Sequence, residues 1–194
     1  EFVDETAARD WAHLVPKIVA IVLVLFAVTL VGVLAGVLIQ LLKGYTNLEL
    51  GHWFLWFVLP VTIGAVHLAV LSVLVQVLVP QKFLGWGAML VYVVAQVALV
   101  TAGFEHNLYN YGATPAVPLS DRNGMGRFWI GQAWFQLYWS AVATVLAVAA
   151  YALWRRGTTT ALRPRLAQAR WRLRGAALGI LVLATGTAVA SGAW

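Results

Sequence analysis

Four histidines and a few buried-position amides are the residues of this chain whose types could do chemistry. His13, His52, His67 and His106 could bind a metal or relay protons, and Gln76 and Gln96 are the amides set deepest in apolar sequence. A bis-histidine haem needs two imidazoles facing each other across helices, and His52 with His106 is the pair at matching depth. Glu105 beside His106, with Asp121 further on, could add carboxylates to a metal site, although this spacing is unspecific. There is no HExxH pair and no GxxxxGK[ST] phosphate loop. The chain has no cysteine, which excludes disulfides, thiolate nucleophiles and thiolate metal ligands. His67 has two readings. It is a proton- or substrate-path residue, or it is a neutral imidazole hydrogen-bonded to a neighbouring helix through Gln96, because polar groups within an apolar bundle usually find partners there.

The elements that must carry these groups follow from composition. Of 194 residues, 62% are hydrophobic and 10% charged, against about 45–50% and about 25% in soluble domains. Uncharged runs cover 18–42, 50–81, 83–104, 128–154 and 175–194. Each reaches the ~20 residues that a helix needs to cross a bilayer core. A membrane β-barrel would need short segments alternating apolar and polar, whereas these runs are apolar on every face. The expected fold is all-α: a polytopic membrane helical bundle forming one domain over 1–194. Its five transmembrane helices lie near 17–42, 53–79, 86–104, 131–154 and 175–194.

Charge sets the expected orientation. The net charge of +6 could suggest nucleic acid, but seven arginines fall between Arg155 and Arg174, which in a membrane protein is a topology signal. With the loop 155–174 cytoplasmic, Arg9, Lys17, Lys82 and those seven arginines lie inside, and Lys43, Arg122 and Arg127 outside. The N-terminus is then in and the C-terminus out. Since the chain starts at Glu1 and stops where the last run becomes long enough to span, it reads as a fragment of a longer polypeptide.

Within the spans, Pro60 should kink the second helix near Leu59. Gly32 with Gly36, and Gly175 with Gly179, have the GxxxG spacing of close helix contacts. Trp53, Trp56, Trp86, Tyr109, Tyr111, Trp129, Trp134, Tyr138, Trp139, Trp154 and Trp171 read mainly as interfacial anchors. Arg163, Arg170 and Arg174, and separately Arg165 and Arg172, form basic stripes on a possible helix, suited to anionic lipid headgroups. The segment 1–16 reads as an interfacial lead-in with Trp11 at the headgroups. The outer loop 105–130 is too long and aromatic for an idle connector. Turn chemistry at Ser120-Asp121 and Asn123-Gly124, with Gly126, marks it as a functional lid, a docking surface or a partly re-entrant segment.

This loop resembles a known family. His106-Asn107-Leu108-Tyr109, then Ser120-Asp121, Asn123-Gly124 and Gly126, then Trp134-Phe135 and Leu137-Tyr138-Trp139, and finally Leu153-Trp154-Arg155-Arg156-Gly157 carry the likeness. They resemble the membrane portion of bacterial proteins that fuse an ABC-2-type transporter permease to a gluzincin zinc aminopeptidase of the membrane-alanyl kind. The chain departs from that pattern at Leu119, Arg122, Met125 and Arg127. Gly44-Tyr45, Glu49, Leu59-Pro60, Lys82 and Gly85 extend the likeness more weakly.

The resemblance implies a multi-pass protein of the bacterial inner membrane, non-catalytic in this segment. Its first four spans correspond to the third to sixth of a six-span permease half, and the fifth leads outward to the peptidase. Zinc would belong to that peptidase, beyond Trp194. The partners implied are the bilayer, a separate ABC ATPase chain that segment 1–16 could touch, and a second permease half. Nucleic acid is not among them. The alternatives are a small haem-binding redox protein using His52 and His106, and a structural or assembly subunit.

Overall fold

The computed structural model describes residues 11–79, 81–118, 124–154 and 162–193. Among the described residues the chain is helical: α1 (Trp11–Leu42), α2 (Leu50–Trp53), a π-helical turn (Phe54–Val58), α3 (Leu59–Leu78), α4 (Lys82–Thr101), α5 (Phe128–Ala152), α6 (Leu162–Arg172) and α7 (Ala176–Gly192). Trp11–Leu42, Leu50–Leu78, Lys82–Thr101 and Phe128–Ala152 are long and apolar enough to cross a membrane. The pair α6 and α7, bent by 95° at its junction, supplies a fifth candidate. These helices are compatible with a membrane protein.

The bundle is a row. α1 packs on α3, α3 on α5 and α5 on α7, with α4 against α3. Burial is concentrated in the two middle helices. α3 buries Ala65, His67, Ala69, Val70, Val73, Leu74 and Val77, and α5 buries Trp139, Ala141, Ala143, Val148, Ala150 and Ala152. The alanines let the two backbones approach closely, which is how apolar helices gain packing energy where lipid tails match any side chain in hydrophobicity. α1 buries only Leu14, and α4 only Gly85. Their Leu and Val side chains face outward, as on helices whose solvent is itself apolar.

Four sequence expectations change here. The first helix starts at Trp11 and runs through Pro16, so residues 11–16 belong to it and form no separate lead-in; residues 1–10 lie outside the described residues. The second span begins at Leu50. Pro60 leaves it continuous, because the helix widens for one turn: the Leu59 N–H donates to the Phe54 carbonyl, five residues back. Proline has no N–H to offer the preceding turn, and a π-helical turn redistributes the orphaned acceptors without a break. The glycine pairs also fail as helix contacts. Gly32 and Gly179 have open space where a Cβ would sit, Gly175 is a turn residue at φ 58°, and Gly36 makes room for the Trp53 indole, to which a Cβ would come within 2.8 Å.

The arginine-rich connection contains α6, and two of its arginines close one end of the bundle. Arg165, 3% exposed, donates from Nη2 to the Val77 carbonyl at 2.8 Å, and from Nε at 3.0 Å and Nη2 to the Leu153 carbonyl. Arg172 donates to the carbonyls of Trp154 at 2.7 Å and Ala152 at 3.4 Å. The last carbonyls of a helix have no partner of their own and carry its negative dipole end. One guanidinium fork therefore ties the ends of α3 and α5 together, and a second, seven residues on, repeats this for α5. Arg163, Arg170 and Arg174 are exposed. The basic stripes thus divide into a protein-facing pair and an outward-facing trio. Residues 155–161, with Arg155 and Arg156, lie outside the described residues.

Replacing Arg165 by Ala should lower unfolding stability in detergent by about 2–3 kcal/mol, the scale of lost charge-assisted hydrogen bonds to buried carbonyls. Arg163→Ala, on the outward face, should stay within about 0.5 kcal/mol. Thermal or chemical unfolding of the two variants side by side checks this.

Candidate functional site

His67 sits roughly midway along the Leu50–Leu78 run and is 2% exposed. Its Nε2 hydrogen-bonds the hydroxyl of Ser140 on α5 at 3.0 Å. The expected partner was Gln96, but Gln96 is half-buried on α4, and the ring's hydrogen bond goes to Ser140 instead. The reason lies in the order of helices: α3 has α5 on one side, and the imidazole points into that contact.

The connection between α4 and α5 folds down onto this point. The Tyr111 hydroxyl donates to the His67 backbone carbonyl at 3.1 Å. The Tyr92 hydroxyl on α4 donates to the Tyr111 carbonyl at 3.3 Å. The Trp139 Nε1 on α5 donates to the Ala113 carbonyl at 2.8 Å. The rings of His67, Tyr111 and Trp139 form a chain of centroid spacings of 6.1 and 5.2 Å. Asn110 is buried here. Gly112 makes the bend at φ 81°, with a Cβ position only 3.8 Å from His67 Cβ and Nδ1. Of the readings open to the 105–130 loop, residues 110–113 fit the re-entrant one: side chains of α4 and α5 satisfy the Tyr111 and Ala113 carbonyls, and the Ala113 N–H satisfies that of Asn110.

A histidine 3.0 Å from a serine is also the geometry of a nucleophile and its base. The surroundings argue for a clasp. Ser140 lies inside α5, where neighbouring N–H groups are committed to the helix and cannot act as oxyanion donors. The Ser140 carbonyl accepts from Thr144 at 2.8 Å. His67 Nδ1 has no hydrogen-bond partner among the described residues, so no third group orients the ring.

The remaining candidates are spread along the same end of the bundle. His106 is exposed, accepts the Leu108 N–H at Nδ1 and meets Tyr109 edge-on. Asn107 is half-buried and Tyr109 exposed. Gly124 and Gly126 take positive φ, and the Trp56 indole lies against Gly124. Ser120, Asp121 and Asn123 lie outside the described residues. Gln76 is at the other end, its amide lying where a Gly85 side chain would stand. His52 is paired with Glu49 and stacked on Trp56 at 4.0 Å. His52 and His106 line different cavities, one with Trp53 and Trp56, the other with Trp134 and Tyr138. The structure does not bring them together as a haem pair. Among the described residues no group of three or more His, Asp or Glu is placed to hold a metal ion.

Sequence reading missed Ser140, Tyr92 and the carbonyl contacts. It also took Trp139, Trp154 and Tyr111 for surface anchors. Trp139 and Trp154 are 6% and 7% exposed, and Tyr111 is half-buried. The usable signal was adjacency: Trp139-Ser140 one helix turn before Thr144 puts three hydrogen-bonding side chains close together in an otherwise apolar span. Trp86, Trp129 and Trp171 do remain exposed, as anchors would.

Fold and site together define an all-helical chain, with four to five helices compatible with membrane crossing and a connecting segment folded back among them. Comparison with family models, with curated proteins and with solved structures finds no match to this chain.

A cysteine placed at Ala113 should react slowly with a water-soluble maleimide. Tyr111→Phe combined with Trp139→Phe should speed labelling by about thirtyfold, since each lost bond to a buried carbonyl loosens the segment by about 1 kcal/mol. Gly112→Ala should destabilise by about 1 kcal/mol or more, from its positive φ. Labelling kinetics and unfolding midpoints check the two outcomes.

Proposed function

We propose that the chain is the permease-like transmembrane domain of an ABC-2-type transporter, and that in its parent polypeptide it anchors an extracytoplasmic zinc aminopeptidase. The observation that carries this reading is the 104–118 segment. It begins with the His106–Tyr109 stretch of the resemblance, and it is folded into the bundle against Trp139, which closes the later Leu137-Tyr138-Trp139 part. Of the residues that carry the likeness, His106, Leu108, Trp134, Phe135 and Tyr138 line one cavity, and Trp139 holds the Ala113 carbonyl.

Charge supports the orientation. The end closed by α6 carries Lys17, Lys82 and the described arginines of that helix, which on the positive-inside rule faces the cytoplasm. α7 then leads outward over 17 residues, at the short limit for a span. A domain attached there would stand outside the cell, and the outward arginines of α6 would be available to a cytoplasmic ATPase. No described constellation supplies catalysis, so any zinc and peptidase chemistry would belong to sequence beyond Trp194.

The test is the full reading frame, expressed with its neighbouring genes and purified by a tag. Co-purification of an ABC-type ATPase, with nucleotide hydrolysis altered by the membrane chain, is the expected result. A reading frame that ends at Trp194, or a chain that purifies with no ATPase, would contradict the proposal. Topology is checked separately by single cysteines: positions 47 and 116 should label from outside intact cells, and position 168 only after the membrane is opened.

A further inference from the structure

A groove of about 490 Å³ opens between α1, α3 and the end of α5, lined by Lys17, Ala20, Ile21, Val73, Gln76, Val77 and Trp154. Its chemistry is graded along the helix axes. Lys17 and Gln76 lie at the end closed by α6. Ala20, Ile21 and Val73 lie one helical turn, about 5 Å, further in. The Lys17 ammonium is held 4.6 Å from the centroid of the Trp154 ring. The rim is fixed by the helix caps, since Arg172 holds the Trp154 carbonyl and Arg165 the Val77 carbonyl. The deep wall is the side of the apolar cluster of Leu14, Val73, Leu74, Val77, Ala150 and Trp154.

We propose that this groove is a binding site for one anionic glycerophospholipid, with its phosphate at Lys17 and an acyl chain along Ala20, Ile21 and Val73. Charge complementarity selects the occupant. Among the described residues the one ion pair is Glu49–His52, and both described carboxylates, Glu49 and Glu105, lie in connections at the opposite end of the bundle. Lys17 thus has an aromatic face but no described carboxylate to neutralise it. The headgroup end of the groove also coincides with the exposed Arg163, Arg170 and Arg174, which raise the local concentration of anionic lipid. A helix of another chain would match the apolar wall but would leave the cation uncompensated. The inference rests on membrane embedding alone and is independent of the transporter reading.

Native mass spectrometry of the full chain in an uncharged detergent tests it, with phosphatidylglycerol, phosphatidylcholine and inorganic phosphate as probes. One phosphatidylglycerol should remain bound, about fivefold tighter than phosphatidylcholine, as one lysine near a headgroup provides. Inorganic phosphate should not displace it. Lys17→Gln should erase the preference, Lys17→Arg should retain it, and Arg170→Gln with Arg174→Gln should leave the single bound lipid in place. Equal binding of the two lipids, an unchanged preference in Lys17→Gln, or displacement by inorganic phosphate would each overturn the proposal.

Discussion

A polar group placed among apolar helices is costly unless it finds a partner inside the protein, and that constraint organises this chain. The central pair, α3 and α5, meets through alanines and valines, which allow close approach but specify no depth or rotation. Polar contacts supply the register. His67 on Ser140 fixes it midway, and the Arg165 fork on the Val77 and Leu153 carbonyls fixes it at one end. Breaking such contacts leaves buried acceptors unsatisfied, which costs more than the bonds contribute when made. Few contacts are therefore enough to hold one arrangement.

The same rule explains how an irregular segment can lie within the bundle. Tyr92 and Trp139 take two of the carbonyls of residues 110–113, the Asn110 carbonyl accepts the Ala113 N–H, and Tyr111 uses its own hydroxyl on α3. Each donor comes from a different element: α4, α5 and the segment itself. The segment becomes the keystone between three helices, and Gly112 provides the bend that brings it down.

That the chain holds four to five long apolar helices was legible in the sequence, because charge-free runs of bilayer length have few other uses. What was not legible was which groups turn inward. Trp139 and Trp171 look alike as aromatic residues near a span end, yet one is buried on a loop carbonyl and the other stays exposed beside Arg174. Period gave the two arginine stripes correctly, but nothing in the sequence said that Arg165 and Arg172 would cap helices while Arg163, Arg170 and Arg174 would not. Pro60 shows the limit of local rules: a missing N–H demands accommodation, and the form it takes, a π-helical turn over Phe54–Val58, is not specified by the proline itself.

Hydrogen–deuterium exchange of the chain in lipid nanodiscs addresses the central claim, that the connection between α4 and α5 is built into the bundle. The Ala113 amide, whose N–H donates to the Asn110 carbonyl beneath Trp139, should exchange far more slowly than the amides of the exposed Glu105 and His106. Equally fast exchange across 104–118 would contradict it, because a segment free in water could neither hold the His67 carbonyl nor join the three helices.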